Sequence, residues 1–503
     1  TENWFDLNAS RYTASSTLQR MELLKTGYMG TLSLGWDNYL FLELTGRQER
    51  SSTLKDQSFF YPSANLSFLF SNAFRMPAWW NHGKLRLSYG VVGNAPETYA
   101  ANIIYEQGSD NGFTWNYVPS SWGNANIRPE KKYEYEIGFE SKFLNNRLGF
   151  DVSYYNNRVK DQILSTPQPS TSGVKYVLMN VGEVANEGWD ISVSATPVLT
   201  KNFRWDLTAN YGIYRNKVVK LADGVPYLEI SNIGGGGAKI QAVEGRPMGD
   251  IYVQVPQMNE NGEYLVSDKG LYMNQTELQR VGNINPDGVG GLFSSFSYKN
   301  IFLDFSIDFR IGGDVINEMY QYSTASGLTP ESLQFRDTEH GGLSYYYPGN
   351  NNASGVPVQV DPSLGAGPNG ETVYHDGVIL PGVVASTGEK NTRIIPAGYY
   401  YNQTYNWGTQ PEQLTYRHSV FDNSYVKLRE LTIGYQFPEK LISKLGMTRL
   451  SVSVFGRNLF YFYKALKNYD AESSVGTSWA SQAVVGGSTT ATRNFGVSLR
   501  ASF

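Results

Sequence analysis

The chain has 503 residues, including 36 tyrosines and 51 glycines, and a formal net charge of −4. Charged residues make up only 17% of it, against roughly a quarter in soluble domains, yet the mean hydropathy of −0.38 is polar. The sequence contains no apolar run near the roughly 18 residues of a membrane helix. It has no cysteine for disulfide or thiol chemistry, and its weak net charge gives no sign of nucleic acid as a partner. These facts favour strands with a single apolar face.

Strict alternation of apolar and polar residues is the dominant pattern, and it recurs about thirteen times. Segments 203–213 and 301–311 are clear examples. Successive side chains of a strand point to opposite faces, so each segment has one apolar and one polar face. Each apolar stripe covers about ten residues, which a tilted strand needs to cross hydrocarbon. The predicted strands are 18–36, 39–50, 58–71, 83–93, 131–144, 148–160, 185–198, 203–219, 288–299, 301–312, 420–437, 447–460 and 491–503.

The connections between these strands alternate between short and long. The short ones are 37–38, 72–83, 145–147, 199–202, 299–300 and 438–446; the long ones are 93–130, 160–185, 220–287, 312–419 and 461–490; and 51–57 is intermediate. This asymmetry is typical of transmembrane antiparallel β-barrels, with short periplasmic turns and long extracellular loops. Aromatic residues beside the short turns predict an interfacial girdle: Trp36, Tyr39, Trp79, Trp80, Phe203, Trp205, Phe437 and Phe503.

The direction of the strands predicts that the chain is part of a larger barrel. The first and last predicted strands both run toward the short-turn side, so they could close a barrel only by pairing in parallel. Bacterial barrels are antiparallel with an even strand number, and an unpaired edge is costly in lipid. We therefore expect an odd number of further strands outside this chain.

A soluble all-β protein, such as a propeller, is the alternative fold. A propeller should show a blade repeat of about 40 residues, and the sequence shows none. Loops as long as 220–287 and 312–419 would also be unusual in a compact soluble domain. The barrel is therefore the favoured fold.

Six short segments, in order along the chain, carry a family signature. They are LRLSYGVVGN at 85–94, RPE at 128–130 leading into YEYEIG at 133–138, NVGE at 180–183 with NEGW at 186–189, GRPMG at 245–249, YVKLRELTIGY at 425–435 and GRNL at 456–459. Together these segments resemble SusC/RagA-type TonB-dependent transporters of the outer membrane.

The resemblance implies a 22-stranded transmembrane barrel, of which residues 1–503 are the C-terminal part. Nine strands, the plug and the TonB-interacting segment would then lie outside this chain. The implied function is import of large nutrients, glycan oligosaccharides or peptides, across the outer membrane of a Gram-negative bacterium. The implied partners are the lipid bilayer, the TonB complex, the missing plug and strands, and a SusD-like surface lipoprotein that closes over the barrel.

A passive large porin, or a barrel without a transport role, is the alternative function. Porins usually have 16–18 strands around an open channel, which the strand number and the long loops disfavour. Sequence upstream of Thr1 would discriminate, because a plug there would favour the importer.

The sequence shows no catalytic constellation, so we expect no enzyme activity and no cofactor. The four histidines, His82, His340, His375 and His418, fall in separate turns and loops without metal-ligand spacing. Gly234–Gly237 lacks the Lys-Ser/Thr that follows a phosphate loop, and it predicts a turn. The acidic turn 259–263, and Asp361 with Asp376, could supply oxygen ligands to a loop calcium ion.

Aromatic clusters in the long loops are the candidate contact residues. Their rings could stack on sugars or grip a peptide, could contact the lid protein, or could pack the loops together, since tyrosine and tryptophan also dominate protein interfaces. The candidates are Trp115, Trp122, Tyr345, Tyr346, Tyr347, Tyr399, Tyr400, Tyr401, Tyr405 and Trp407. Polar strand residues are expected to line the lumen and seat the plug: Glu134, Glu136, Glu140, Arg204, Asp206, Asp304 and Asp308.

Overall fold

Thirteen long strands form one antiparallel sheet in a computed structural model that describes residues 21–54, 58–102, 104–110, 113–169, 171, 173–406, 415–487 and 491–503. Each strand pairs with its neighbours in the sequence, so the predicted strand number and antiparallel order are confirmed. The strands are β1 Lys25–Trp36, β2 Leu40–Ser51, β3 Ser58–Phe68, β4 Trp80–Asn94, β5 Glu130–Phe143, β6 Leu148–Pro167, β7 Tyr176–Leu199, β8 Phe203–Lys220, β9 Gly288–Tyr298, β10 Ile301–Ile311, β11 Tyr425–Gln436, β12 Arg449–Lys464 and β13 Asn494–Ser502.

Tight turns join the strands at one end of the sheet. Asp37 and Asn38 have φ of 45° and 58°, a left-handed pair within the three-residue connection from Trp36 to Leu40, and such a pair suits the twist of the flanking strands. Two longer connections at this end hold the short helices α1 Phe70–Ala73 and α4 Glu439–Ile442. Aromatic rings gather beside these turns, and Trp79 stacks on Trp80 with ring centroids 6.0 Å apart. The structure therefore places an aromatic belt on the short-turn side.

The two faces of the sheet differ in chemistry as the alternation predicts. Rings stack along one face, where the centroids of Trp205 and Phe296 are 5.4 Å apart and those of Phe296 and Phe305 are 6.2 Å apart. Carboxylates lie on the opposite face, where Asp304 accepts a hydrogen bond from Ser295 (2.6 Å). These faces are the apolar and polar sides that a membrane barrel presents to lipid and lumen.

Several strand ends differ from the prediction. β6 and β7 continue past the predicted ends at 160 and 185, so most of the expected loop 160–185 is a projecting hairpin. Bulges between Asn180 and Val184 break the strict alternation there, and the sequence pattern therefore hides the continuation. The predicted strand 18–36 begins at Lys25, and its residues 18–20 lie outside the described part of the chain.

The predicted strand 420–437 is wrong at its start. Val420–Asp422 leaves the barrel sheet and pairs with Asp314–Asn317 in an outer loop, and β11 begins at Tyr425. The amide N–H of Gly312 donates a hydrogen bond to the Ser424 hydroxyl (2.8 Å) where the two segments separate. Tertiary pairing between distant loops decides this boundary.

Three outer loops fold together into one body, called here the loop cap (the described residues of 221–287, 312–424 and 465–493). One of its sheets contains the strands Tyr227–Ile233, Ala238–Val243, Asp250–Val253 and Gln279–Asn283, and a second contains Val420–Asp422, Asp314–Asn317 and Val484–Val485. A third contains Val358–Gln359, Leu343–Tyr346, Val373–Val378 and Ile395–Pro396. In a fourth, Leu265–Val266 pairs with Val383–Val384. Its helices are α2 Glu318–Ala325 and α3 Ala397–Tyr405. Ile240, Ile316 and Val484, one from each loop, are buried in the same apolar core.

The remaining short elements are a hairpin, a short parallel pair and 3-10 turns. Glu106–Asp110 and Phe113–Tyr117 form a hairpin in the loop between β4 and β5, and Ser121–Trp122 pairs in parallel with the outer end of β7. The 3-10 turns are Gly234–Gly236, Pro330–Leu333, Pro348–Asn350, Tyr416–Ser419, Ser443–Leu445 and Ser481–Ala483. Across the described ranges, no helix combines the length and the apolar character needed to cross a membrane.

Candidate functional site

The RPE and NVGE segments fasten the outer rim of the sheet. The Asn180 side-chain amide donates to the carbonyl oxygens of Arg128 (2.7 Å) and Asp161 (2.8 Å), and its oxygen accepts from the Arg128 amide (2.8 Å). The Arg128 guanidinium pairs with the Asp161 carboxylate (2.7 Å). One asparagine therefore ties together the starts and ends of three neighbouring strands.

The GRPMG segment, with the aspartate that follows it, anchors the first part of the loop cap to β8. Asp250 is fully buried and forms ion pairs with Arg246 (2.6 Å) and Arg280 (2.8 Å). The amide of Met248 donates to the Asn216 side chain at the outer end of β8 (2.7 Å). A carboxylate buried this deeply is stable only because two cations and hydrogen bonds surround it.

The YVKLRELTIGY segment contains a bulge that changes which residues face inward. The pairing of β11 with both neighbours shifts around Arg429. As a result Lys427 lies opposite Asp308 and Glu430 lies opposite Ser306, both on the polar face. Strict alternation would have put Glu430 on the apolar face, so the bulge allows three charged residues of one strand to share the polar side.

The GRNL segment completes this polar group on β12. Arg457 pairs with Glu430 (3.0 Å), and the oxygen of the Asn458 side chain accepts from Arg429 (3.1 Å). Asn458 has a φ of 53°, a left-handed conformation that asparagine tolerates better than most residues. The backbone kink at Asn458 aims its side chain at Arg429.

Glu472 fastens the third loop of the cap to this polar face. Its carboxylate accepts from Lys427 (2.5 Å) and from Arg429 (2.5 Å), and Arg429 also pairs with Asp308 (2.6 Å). Burial raises the pKa of Glu472, but the hydrogen bonds from Arg429 and Lys427 outweigh it, and the pKa is lowered overall. Lys427 is only 2% exposed and has the Tyr461 ring beside its ammonium. We call this set, Asp308, Lys427, Arg429 and Glu472, the wall–cap link.

The glycine run forms a turn, as the sequence predicts, and the turn packs against a tyrosine. Gly234 has a φ of 59°, and a Cβ built on it would overlap the Tyr416 hydroxyl. Tyr416 is 1% exposed in the main core of the cap. The absence of a side chain at Gly234 thus lets the first cap loop pack on the second.

Most of the candidate loop tyrosines lie inside the cap. Tyr345 and Tyr347 pack with Ile394, and the Tyr345 hydroxyl donates to Asp376 (3.1 Å). Tyr401 and Tyr405 are buried together with part of α2. These four rings pack within the second loop of the cap, where they hold its segments together.

The other aromatic candidates are more accessible. Trp115 is 47% exposed on the hairpin between β4 and β5, and Trp122 lies nearby against Tyr105. Three further tyrosines, Tyr346, Tyr399 and Tyr400, are half-buried in the cap, and Trp407 lies outside the described residues. The structure therefore divides the candidates between the cap and a separate hairpin.

The four histidines lie in four separate places, and the acidic loop residues have local partners of their own. His82 lies 3.7 Å from Glu140, His340 pairs with Asp337 (2.7 Å), His375 hydrogen-bonds Ser344 (2.8 Å) and His418 stacks on Tyr405. In the proposed calcium segments, the Asn259 side chain accepts from the Glu263 amide, and Asp361 accepts from Ser363. No group of three or more metal-ligating His, Asp or Glu residues occurs in the part of the chain that the structure describes.

Arg86, Asp151, Arg429 and Glu472 were not among the predicted polar-face residues. Arg86 bridges Glu140 (3.4 Å) and Asp151 (2.6 Å) across three strands of the polar face. Its position in the alternation of 83–93 could have identified it. Glu472 lies in an irregular loop, and nothing in its sequence surroundings indicates its contact with β11.

Comparison with known proteins agrees with this architecture. The family model described as "TonB dependent receptor-like, beta-barrel" matches residues 3–251. The chain is 22% identical to TonB-dependent receptor P3 of Formosa agariphila over 494 residues, which is 89% of this chain and 42% of that protein. It is 27% identical to TonB-dependent receptor SusC of Bacteroides thetaiotaomicron over 256 residues, 44% of this chain and 24% of that protein. The chain spans less than half the length of these relatives.

Solved structures show the same fold. A structure of the RagAB peptide transporter covers 100% of this chain with a TM-score of 0.71, at 18% identity, and this chain spans 50% of it. A structure of the RagAB peptide importer in its 'open-open' state gives a TM-score of 0.68 over the same range. The strand pattern, the ordered segments and these matches agree: the chain has the β-barrel fold of the TonB-dependent receptors and resembles those of the SusC/RagA type, which are proteins of the Gram-negative outer membrane.

Proposed function

We propose that the protein containing this chain imports large nutrients, glycan oligosaccharides or peptides, across the outer membrane with energy supplied through TonB. The observation that carries the proposal is the loop cap. A diffusion channel needs an open outer mouth, whereas here three loops share one apolar core at the outer end of the wall. One of these loops also bonds to the polar face through the wall–cap link.

We also propose that a SusD-like surface lipoprotein closes over this cap. The cap offers large apolar side chains to solvent, among them Leu328 (77% exposed) and Val356 (60% exposed). Large apolar side chains exposed on a folded outer surface are candidates for contact with a partner protein. The solved RagAB peptide transporter, which has a similar fold, supports peptides as one of the two proposed cargo classes.

Transport measurements in the native bacterium test the proposal. The gene is deleted and restored, in cells with and without functional TonB, and uptake of labelled oligopeptides and oligosaccharides is followed. We expect uptake of one cargo class to disappear both in the deletion strain and in TonB-deficient cells.

Two results would contradict it. Uptake at the wild-type rate in TonB-deficient cells would make the protein a passive porin. Unchanged uptake of both cargo classes in the deletion strain would make it a barrel without this transport role.

A further inference from the structure

A cavity of about 410 Å³ lies between two segments of the loop cap. Lys269 of the first segment lines it, together with Tyr347, Asn352, Ser354, Arg393 and Tyr399 of the second. The volume falls within the range of small-molecule sites, roughly 300–1,000 Å³. A cavity of this size can hold a short segment of an oligomer.

The walls of the cavity are fixed by the cores on either side. Tyr347 packs in one buried cluster with Ile394, while Ile395 packs in another with Leu271. Arg393 is held at its backbone, where its amide donates to the buried Asn391 side chain (3.0 Å). The cavity is therefore formed before any ligand binds, which lowers the entropic cost of binding.

Packing of the Arg393 side chain against a neighbouring segment also restricts its position. A Cβ built on Gly270 would lie 3.4 Å from the Arg393 Cγ, so the arginine stem packs against the backbone next to Lys269. Gly270 has a φ of 84°, a conformation that glycine adopts without strain. This close approach brings two cations from different segments to one wall.

The charged side chains that line the cavity are all cations. Its lining includes Lys269 and Arg393 but no aspartate or glutamate, and neither cation forms an ion pair within the described ranges. Two other cations of the cap, by contrast, are paired: Lys239 with Glu229 (2.7 Å) and Arg280 with Asp250 (2.8 Å). Two unpaired cations in a partly enclosed site attract an anion and bind it more strongly than on an open surface.

We propose that this cavity is a subsite for a carboxylate-bearing oligomer, with the carboxylate on Arg393 and Lys269 and the adjoining unit against the Tyr347 and Tyr399 rings. The inference rests on the proposed import function and narrows its cargo to anionic oligomers. Either the C-terminus of a short peptide or a uronic acid of a glycan supplies the required carboxylate. Arginine suits this task because its planar fork binds carboxylates through two hydrogen bonds.

Calorimetry on the intact purified protein tests the subsite without transport or TonB. The probes are acetyl-triglycine against its neutral amide, and trigalacturonate against maltotriose. The variants are Arg393→Gln and Lys269→Gln, with Lys467→Gln as a control, because Lys467 is exposed on the cap but lies outside the cavity. We expect a charged probe to bind more tightly than its neutral counterpart and to lose about tenfold in affinity in the two cavity variants only.

The results of this experiment distinguish a peptide ligand from a glycan ligand, and they test the subsite separately from the import function. Binding of acetyl-triglycine alone identifies a peptide, and binding of trigalacturonate alone identifies an acidic glycan. Equal affinity for charged and neutral probes, no binding of either charged probe, or equal effects of all three substitutions would overturn the subsite. Since no transport enters this measurement, a passive or inactive barrel in the uptake assay would contradict the import function and leave the binding result standing.

Discussion

The effect of a charged side chain on the stability of the barrel depends on which face of the sheet it lies on. Phe305 lies among stacked rings on the apolar face, while the next residue, Ser306, faces the polar side opposite Glu430. Lipid offers no hydrogen-bond partner for a charge, whereas the polar face is lined with charged groups. The cost of a new charge should therefore depend on its face.

Phe305→Arg should destabilise the folded barrel by about 2–4 kcal/mol, because it places a cation near the middle of the lipid-facing surface. Ser306→Arg is the matched control, since it introduces the same side chain one position away on the polar face. Urea titration of the protein folded into lipid vesicles measures both. Equal losses in the two variants would show that the faces are assigned incorrectly.

In the cap, Glu371 holds a turn through its carboxylate. It is 2% exposed and accepts hydrogen bonds from the amides of Asn369 (2.8 Å) and Gly349 (3.2 Å). These bonds, the one from Asn369 first, lower its pKa from 4.5 to about 2. Because the folded pKa is lowered, the charged form stabilises the turn at pH values above about 4.5.

This stabilisation should be lost as the pH falls from about 4.5 to about 2. Amide hydrogen exchange at Gly349 and Asn369, corrected for the intrinsic exchange rates, should show falling protection over that window. In Glu371→Gln the protection should be lower and independent of pH there. A pH dependence that persists in this variant would assign the effect to another group.

At the scale of elements, the wall–cap link explains why β11 carries so many charged residues. Because of its bulge, Lys427, Arg429 and Glu430 lie on the same face. Glu472 from a distant loop forms ion pairs with Lys427 and Arg429. Removing one member of a buried pair leaves an uncompensated charge, which costs more than the pair contributes. The wall–cap link should therefore set the local stability of the third cap loop.

Glu472→Gln should loosen residues 465–487 by about 1–3 kcal/mol of local stability, since both Lys427 and Arg429 lose their ion pair with this side chain. Hydrogen exchange of this loop is the measurement. Glu339→Gln serves as control, because Glu339 is exposed on another cap loop. Exchange in 465–487 that matches the wild type would contradict the link.

Over the whole molecule, the chain divides into a wall and a cap with different stabilisation. The wall consists of hydrogen-bonded neighbours in sequence order, whereas the cap brings three distant loops around a shared apolar core. The cap therefore presents a formed surface on which a partner can dock without first ordering the loops.

Leu328→Glu combined with Val356→Glu should reduce co-purification of the proposed surface lipoprotein, because each adds a charge to exposed apolar surface of the cap. Leu441→Glu is the matched control, since Leu441 is 63% exposed but lies in α4 at the opposite, short-turn end. Pull-down from solubilised outer membranes measures the association. Equal recovery in all variants would place the partner elsewhere.

Much of the wall could be predicted from the sequence because its signals are local. Alternation defines β8 and β10 within a residue or two, and the left-handed pair Asp37-Asn38 marks its hairpin. The prediction weakens where a bulge breaks the alternation, as at Asn180–Val184 and at Arg429. One extra residue in a strand reverses the facing of everything after it.

The sequence by itself thus determined the number of wall strands, their order and the chemistry of their two faces, because a period of two and short turns need only neighbouring residues. The tertiary structure alone decided that Val420–Asp422 belongs to the cap, that Glu472 neutralises Lys427 and Arg429, and that Lys269 meets Arg393 in one cavity. These contacts join residues far apart in the chain. They depend on which apolar surfaces of the loops bury one another, and no local pattern records that choice.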